Sequence, residues 1–150
     1  MAIAEYKAFE PVVEVLENGL TVILEQLPYV HSVSTGVWVK AGSANEAPEV
    51  AGISHFLEHL FFKGTPTRTA RQVMQEIEMR GGQMNAFTSR EYTCLFAKTL
   101  DRDVRVAIDV LSDIVKNATF DDLDKERNVI LEEIATIYDT PDEYVHDVLS

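Results

Sequence analysis

The sequence holds a single cysteine, Cys94, in 150 residues, so an internal disulfide is excluded. A cysteine-rich zinc cluster is excluded with it, and any metal must be held by histidine and carboxylate. Cys94 stands in an apolar stretch and reads as a small buried hydrophobe. No apolar run approaches the ~20 residues that a membrane-spanning helix needs. Positive charge is scarce: 13 Lys and Arg face 25 Asp and Glu, a formal net charge of −12. Such a chain repels phosphate backbones and anionic lipid surfaces, which argues against nucleic acid and membrane partners. The first residues carry Glu5, Glu10, Glu14 and Glu17 against Lys7 alone, neither a signal peptide nor an Arg-rich transit peptide. Internal repeats and low-complexity tracts are also missing.

What is present suits one globular domain in a reducing, soluble compartment, with 46% apolar residues to build its core. Val12 to Leu16 and Leu20 to Leu24 flank Asn18-Gly19, a hairpin signal. Val33 to Val39 alternates and predicts a strand; Ala41 to Glu49 predicts a loop. A helix follows and stops at Gly64-Thr65-Pro66. Thr69 and Gln72 form a capping box for a second helix, ended by Gly81-Gly82. Gln83 to Ser89 and Glu91 to Leu100 predict two more strands. Asp101 and Asp121 are the expected caps of two further helices. On the second, Leu123, Arg127, Ile130, Ile134 and Ile137 form one side, with Ile130, Ile134 and Ile137 expected to be buried and Glu126 and Glu133 flanking them. Thr140 to Glu143 predicts another capping box, with a helix running on through Val148 and unfinished at Ser150. Trp38 and Phe62 read as core. Hairpin-joined strands with helices in separate blocks predict an α+β fold, an antiparallel-rich sheet with helices packed on one face.

The chemistry concentrates in the first helix, where His55, Glu58 and His59 spell H-x-x-E-H. Histidines four apart lie one turn above one another on one helical face, which lets both bind one zinc ion. Glu58, near the same face, can deprotonate a water held by that ion. A catalytic zinc needs a third protein ligand, and Glu126, Glu132 and Glu133 on a later helix are the candidates. Glu126 and Glu133, seven apart, share a face; Glu132 points about a third of a turn away. Glu133 is the chosen ligand and Glu126 an auxiliary carboxylate, a choice that helical geometry favours modestly. His31 and His146 have no partners nearby in sequence.

The run His55-Phe56-Leu57-Glu58-His59, then Phe62-Lys63-Gly64-Thr65, Asn85 to Glu91 and Glu126 to Ile134 together resemble the pitrilysin-type zinc peptidases. These are the inverzincin group that includes the mitochondrial processing peptidase beta subunit. The resemblance covers about Asn18 to Asp147. It implies one Zn2+ per chain on His55, His59 and Glu133 and Glu58 as general base; Glu126, the auxiliary carboxylate of the helix geometry, is counted with Glu58 among the catalytic residues. It also implies that Asn85, Ala86 and Phe87 lie on an edge strand that pairs with the substrate backbone. Activity would be zinc-dependent endopeptidase cleavage of peptides or unfolded proteins, including presequences. Family members close two related halves like a clamshell, so a second homologous half or a homodimer partner is expected. Residues 1–150 would then be an N-terminal catalytic domain, incomplete at its C-terminal end. The alternatives are a non-catalytic assembly subunit of the same fold and an inactive fragment. The expected location is the bacterial cytoplasm, or the mitochondrial matrix after loss of a presequence.

Overall fold

A computed structural model describes residues 10–142 and 145, which form two compact units divided between His31 and Ser32. The first contains a hairpin of β1 (Val12–Val15) and β2 (Thr21–Leu24), antiparallel with Val12 opposite Leu24. Its turn is built as the Asn-Gly pair predicts. Gly19 takes φ 85°, and Oδ1 of Asn18 accepts from the Leu20 amide at 3.1 Å.

The second unit runs β3 (Ser32–Val39), α1 (Ile53–Phe61), α2 (Ala70–Glu78), β4 (Gln83–Thr88), β5 (Thr93–Leu100), α3 (Val104–Asn117) and α4 (Leu123–Asp139). The strands form an antiparallel sheet in the order β3-β5-β4, so β4 is an edge strand. Strand alternation sends Met84, Ala86, Leu95 and Ala97 to one face. There they meet Val73 and Ile77 of α2 and Ala107, Val110, Leu111 and Ile114 of α3, all buried. Each large aliphatic side chain buried here contributes about 1.5–3 kcal/mol. This α+β layering is the one expected from the sequence, with helices packed against one face of an antiparallel sheet. The Thr69–Gln72 capping box also forms, each side chain bonding the other residue's amide.

Several expectations are corrected. Trp38 is 62% exposed and not core, because alternation along β3 turns it to the opposite face. There it meets the rings of Phe87 and Tyr92 at 5.8 and 5.1 Å. Cys94 lies between Trp38 and Phe87 in the strand register and is buried, as expected. Phe62 does pack, half-buried, against the core. The loop after β3 contains two 3-10 turns, Ser43–Asn45 and Pro48–Val50.

Asp101 does not cap α3 directly. It opens a 3-10 turn, Asp101–Asp103, and its carboxylate accepts from the Arg102 amide at 2.7 Å. Asp121 does not cap α4 either. Its carboxylate is taken by the Thr119 hydroxyl at 2.8 Å, and the helix follows Asp122 in a left-handed conformation, φ 63°. The expected stripe on α4 is also rotated. Of its members only Ile130 is buried, while Leu123 is 51% exposed and Glu126 only 3%. The cause is the contact of α4 with α1, which turns the glutamate-bearing side inward. Thr140 terminates α4. Beyond it Pro141, Asp142 and Val145 are helical, where the last helix is expected; Glu143, Tyr144 and residues 146–150, and with them the glutamate of its capping box and His146, lie outside the described residues.

Candidate metal centre

α1 begins without a capping side chain of its own. Gly52 precedes it with φ 91°, and the carboxylate of Glu46 supplies the cap from the preceding loop. One oxygen accepts from the Gly52 amide at 2.6 Å and the other from the Ser54 amide at 2.7 Å. A negative charge here also complements the helix N-terminus. Burial pushes the Glu46 carboxyl up, but the bonds from Ser54 and Gly52 outweigh it and hold it below the ordinary carboxylate value. The helix turn that carries His55 is thereby anchored at its start. Sequence reading missed Glu46, whose distance from the helix hides the link.

One turn apart on α1, the rings of His55 and His59 stand 4.9 Å apart and nearly perpendicular, at 89°. Nε2 of His55 and Nε2 of His59 each lie 3.6 Å from the same oxygen, Oε2 of Glu133 on α4. The three ligand atoms fall within 4.8 Å of one another. Three donors bound about 2.1 Å from one tetrahedral ion stand roughly 3.4 Å apart, so the observed spacing fits a zinc-sized ion. His55 and Glu133 are partly exposed, which gives the cluster an open side.

Behind His59 lies Glu126. Its Oε2 is 3.4 Å from Nδ1 of His59, and its Oε1 is 2.6 Å from Nζ of Lys63. The carboxylate therefore meets the ring nitrogen that does not face Glu133. Burial pushes the Glu126 carboxyl up, but the hydrogen bond and charge of Lys63, together with His59, hold it below the ordinary value. Lys63 was not singled out from the sequence; it belongs to the Phe62-to-Thr65 segment quoted above.

Glu58 is half-buried on α1, between the two histidines in sequence. Among the described residues no hydrogen bond or ion pair engages its carboxylate. The end of β4 is tied to the same helix: the Thr88 hydroxyl donates to the Ser54 carbonyl at 3.4 Å. On that strand Asn85 and Phe87 are exposed, whereas the Ala86 side chain is buried in the core. Only the main chain of Ala86 is available to a ligand, and its N–H donates to Oδ1 of Asn85 at 2.9 Å.

The sequence profile of the insulinase family, peptidase family M16, matches residues 21–150. An uncharacterized zinc protease of Bacillus subtilis, YmxG, is 53% identical over 136 residues, 89% of this chain and 33% of its own length. An uncharacterized zinc protease of Mycobacterium leprae is 49% identical over 135 residues, again 89% of this chain and 30% of its own. The crystal structure of a protease from Helicobacter pylori superposes with a TM-score of 0.78 at 30% identity. That match covers 83% of this chain and 30% of the other. The chain thus spans about a third of the length of the curated relatives it matches.

Proposed function

The chain belongs to the insulinase family of peptidases, M16, and from that premise we propose that it carries the zinc site and the proton-handling glutamate of an endopeptidase. The observation that carries the reading is the convergence of two imidazole nitrogens, from His55 and His59, on one Glu133 oxygen. Two imidazoles and a carboxylate suit zinc and leave a fourth position for the reacting groups. When bound, the ion supplies Lewis-acid chemistry, polarising the scissile carbonyl and making water acidic enough to attack near neutral pH.

The residues of this chain then divide the work in the inverzincin manner. Glu58 takes one proton from the attacking water and returns it to the departing amide nitrogen. One water is consumed, one peptide bond breaks, and Glu58 ends as it began. Glu126 faces Nδ1 of His59, so in this reading it positions that ligand and does not touch the substrate. The substrate is an extended peptide or unfolded segment added to the free edge of β4. Phe87 offers its side chain to it and Ala86 its backbone, with the Asn85 amide displaced from the Ala86 N–H to admit it. A second homologous half, in the longer chain or in a partner, closes over the peptide.

The test uses the full-length protein that contains these residues. Glu58→Gln is expected to retain zinc by metal analysis and to lose cleavage of quenched fluorescent peptides by ~100-fold or more. Normal cleavage by the Gln variant would refute the proton role. Wild-type protein that binds no zinc would refute the metal reading and favour a non-catalytic subunit.

A further inference from the structure

We infer that Lys63 is a positioning residue of the metal centre: its ammonium pins one oxygen of Glu126, so that the other meets Nδ1 of His59 and Nε2 is aimed at Glu133. The inference rests on the reading of His55, His59 and Glu133 as ligands. A lysine on a glutamate is ordinarily a surface pair of little consequence. This pair differs in that the Glu126 side chain is only 4% exposed and its second oxygen addresses a ligand ring.

Lys63 is itself held in place from both sides. Its amide donates to the Leu60 carbonyl at the end of α1, at 3.1 Å. Gly64 follows with φ +124°, where an added Cβ would stand 2.9 Å from the Arg68 carbonyl oxygen, so only glycine fits. The Thr65 amide donates to the Arg68 carbonyl at 2.8 Å, closing a tight loop. The Thr65 and Thr67 hydroxyls fasten that loop to Asp113 on α3, at 2.8 and 3.0 Å. The Thr119 amide fastens the Gly64 carbonyl at 3.1 Å. The lysine backbone is thus fixed before its side chain reaches Glu126, which lowers the entropy cost of holding the ammonium there.

The consequence lies in the tautomer of His59. A neutral imidazole carries one hydrogen, and only the Nδ1–H form leaves a lone pair on Nε2 for a metal. A carboxylate oxygen held opposite Nδ1 selects that form and fixes the ring plane. Without Lys63, no other described residue holds Oε1 and so keeps Oε2 in register with the ring.

The experiment uses the full-length protein, metal-free and labelled with 15N-histidine. Long-range 1H–15N correlation reads the His59 ring. At a pH where the ring is neutral, wild type is expected to show a larger share of Nδ1–H than Lys63→Met, and Lys63→Arg the wild-type share, with Glu133 opposing through Nε2 in all three. Zinc affinity, from competition with a chelating dye, is read on the same samples. Lys63→Met should weaken zinc by about 10- to 100-fold, with no further loss when added to Glu126→Ala. Lys63→Gln serves as a second charge-removing variant should Lys63→Met lose its cooperative thermal transition. An unchanged His59 tautomer in the charge-removed protein overturns the proposal, as does an equal zinc loss in the Glu126→Ala background. A wild-type protein without zinc affinity sinks the ligand reading instead, and the tautomer measurement still judges Lys63.

Discussion

Nη1 of Arg68 donates to Oδ2 of Asp113 at 2.6 Å, joining positions 45 residues apart in the chain. Asp113 also accepts from the Thr65 and Thr67 hydroxyls and from the Asn117 amide, while Arg68 reaches Glu76 and Asp109. The Asn117 bond is the largest influence on the Asp113 carboxyl. Burial opposes it, and Arg68 and the two threonines add to it, so the carboxyl is held well below its ordinary value of 3.8. A depressed folded-state value means stability that is complete above the unfolded value and is lost as pH falls through the folded one. Asp113→Asn is expected to cost about 3 kcal/mol near neutral pH, since it removes the charge paired with half-buried Arg68 and puts an NH2 group in place of one of the two accepting oxygens. The gap to wild type should narrow as pH drops below 3.8. Urea melts at several pH values check this; a gap independent of pH would show that Asp113 folds uncharged.

Glu46 gives a second stability prediction, because it caps a helix from outside it. Glu46→Ala should cost about 1–2 kcal/mol. Hydrogen exchange should rise most at the first amides of α1. A uniform rise across the unit would mean that the cap matters only to global stability.

Zinc should stabilise the fold by linkage. At a free concentration 100 times the dissociation constant, the gain is about 2.7 kcal/mol. Thermal melts with and without zinc measure it. Glu133→Ala should remove most of the shift, and Glu132→Ala should leave it intact. An unchanged shift in Glu133→Ala would place the third ligand elsewhere.

Asn85 allows a test of the strand edge. Its side-chain oxygen already occupies the Ala86 N–H, so a peptide carbonyl that takes this N–H must displace the amide. Asn85→Ala should therefore lower KM for an extended peptide while leaving kcat within about 3-fold, if the amide contributes only this competition. A rise in KM would instead make the Asn85 side chain a direct substrate contact.

Much of the site was legible because it is local. H-x-x-E-H places two nitrogens by helical repeat alone, and the seven-residue spacing of Glu126 and Glu133 put both on the helix side that meets α1. The Asn18-Gly19 turn and the Thr69–Gln72 box are legible for the same reason: each partner lies within a few residues. What was missed is non-local or competitive. Asp121 has the composition of a cap, but the Thr119 hydroxyl claims it. Trp38 has the size of a core residue, but strand parity sends it outward. Hydrophobic spacing on α4 could not reveal that a carboxylate, Glu126, would be buried ahead of Leu123. Glu46 and Lys63 reach their partners across loops whose path no periodicity encodes.

The sheet face opposite the core has a further consequence for the chain's only thiol. Flanked in register by the indole of Trp38 and the ring of Phe87, Cys94 is 1% exposed, and burial pushes the thiol up from its ordinary value. The reactive thiolate is doubly withheld, by access and by ionisation. Alkylation of this sulfur can then proceed only as fast as the strands part, so the rate of labelling becomes a clock for local opening.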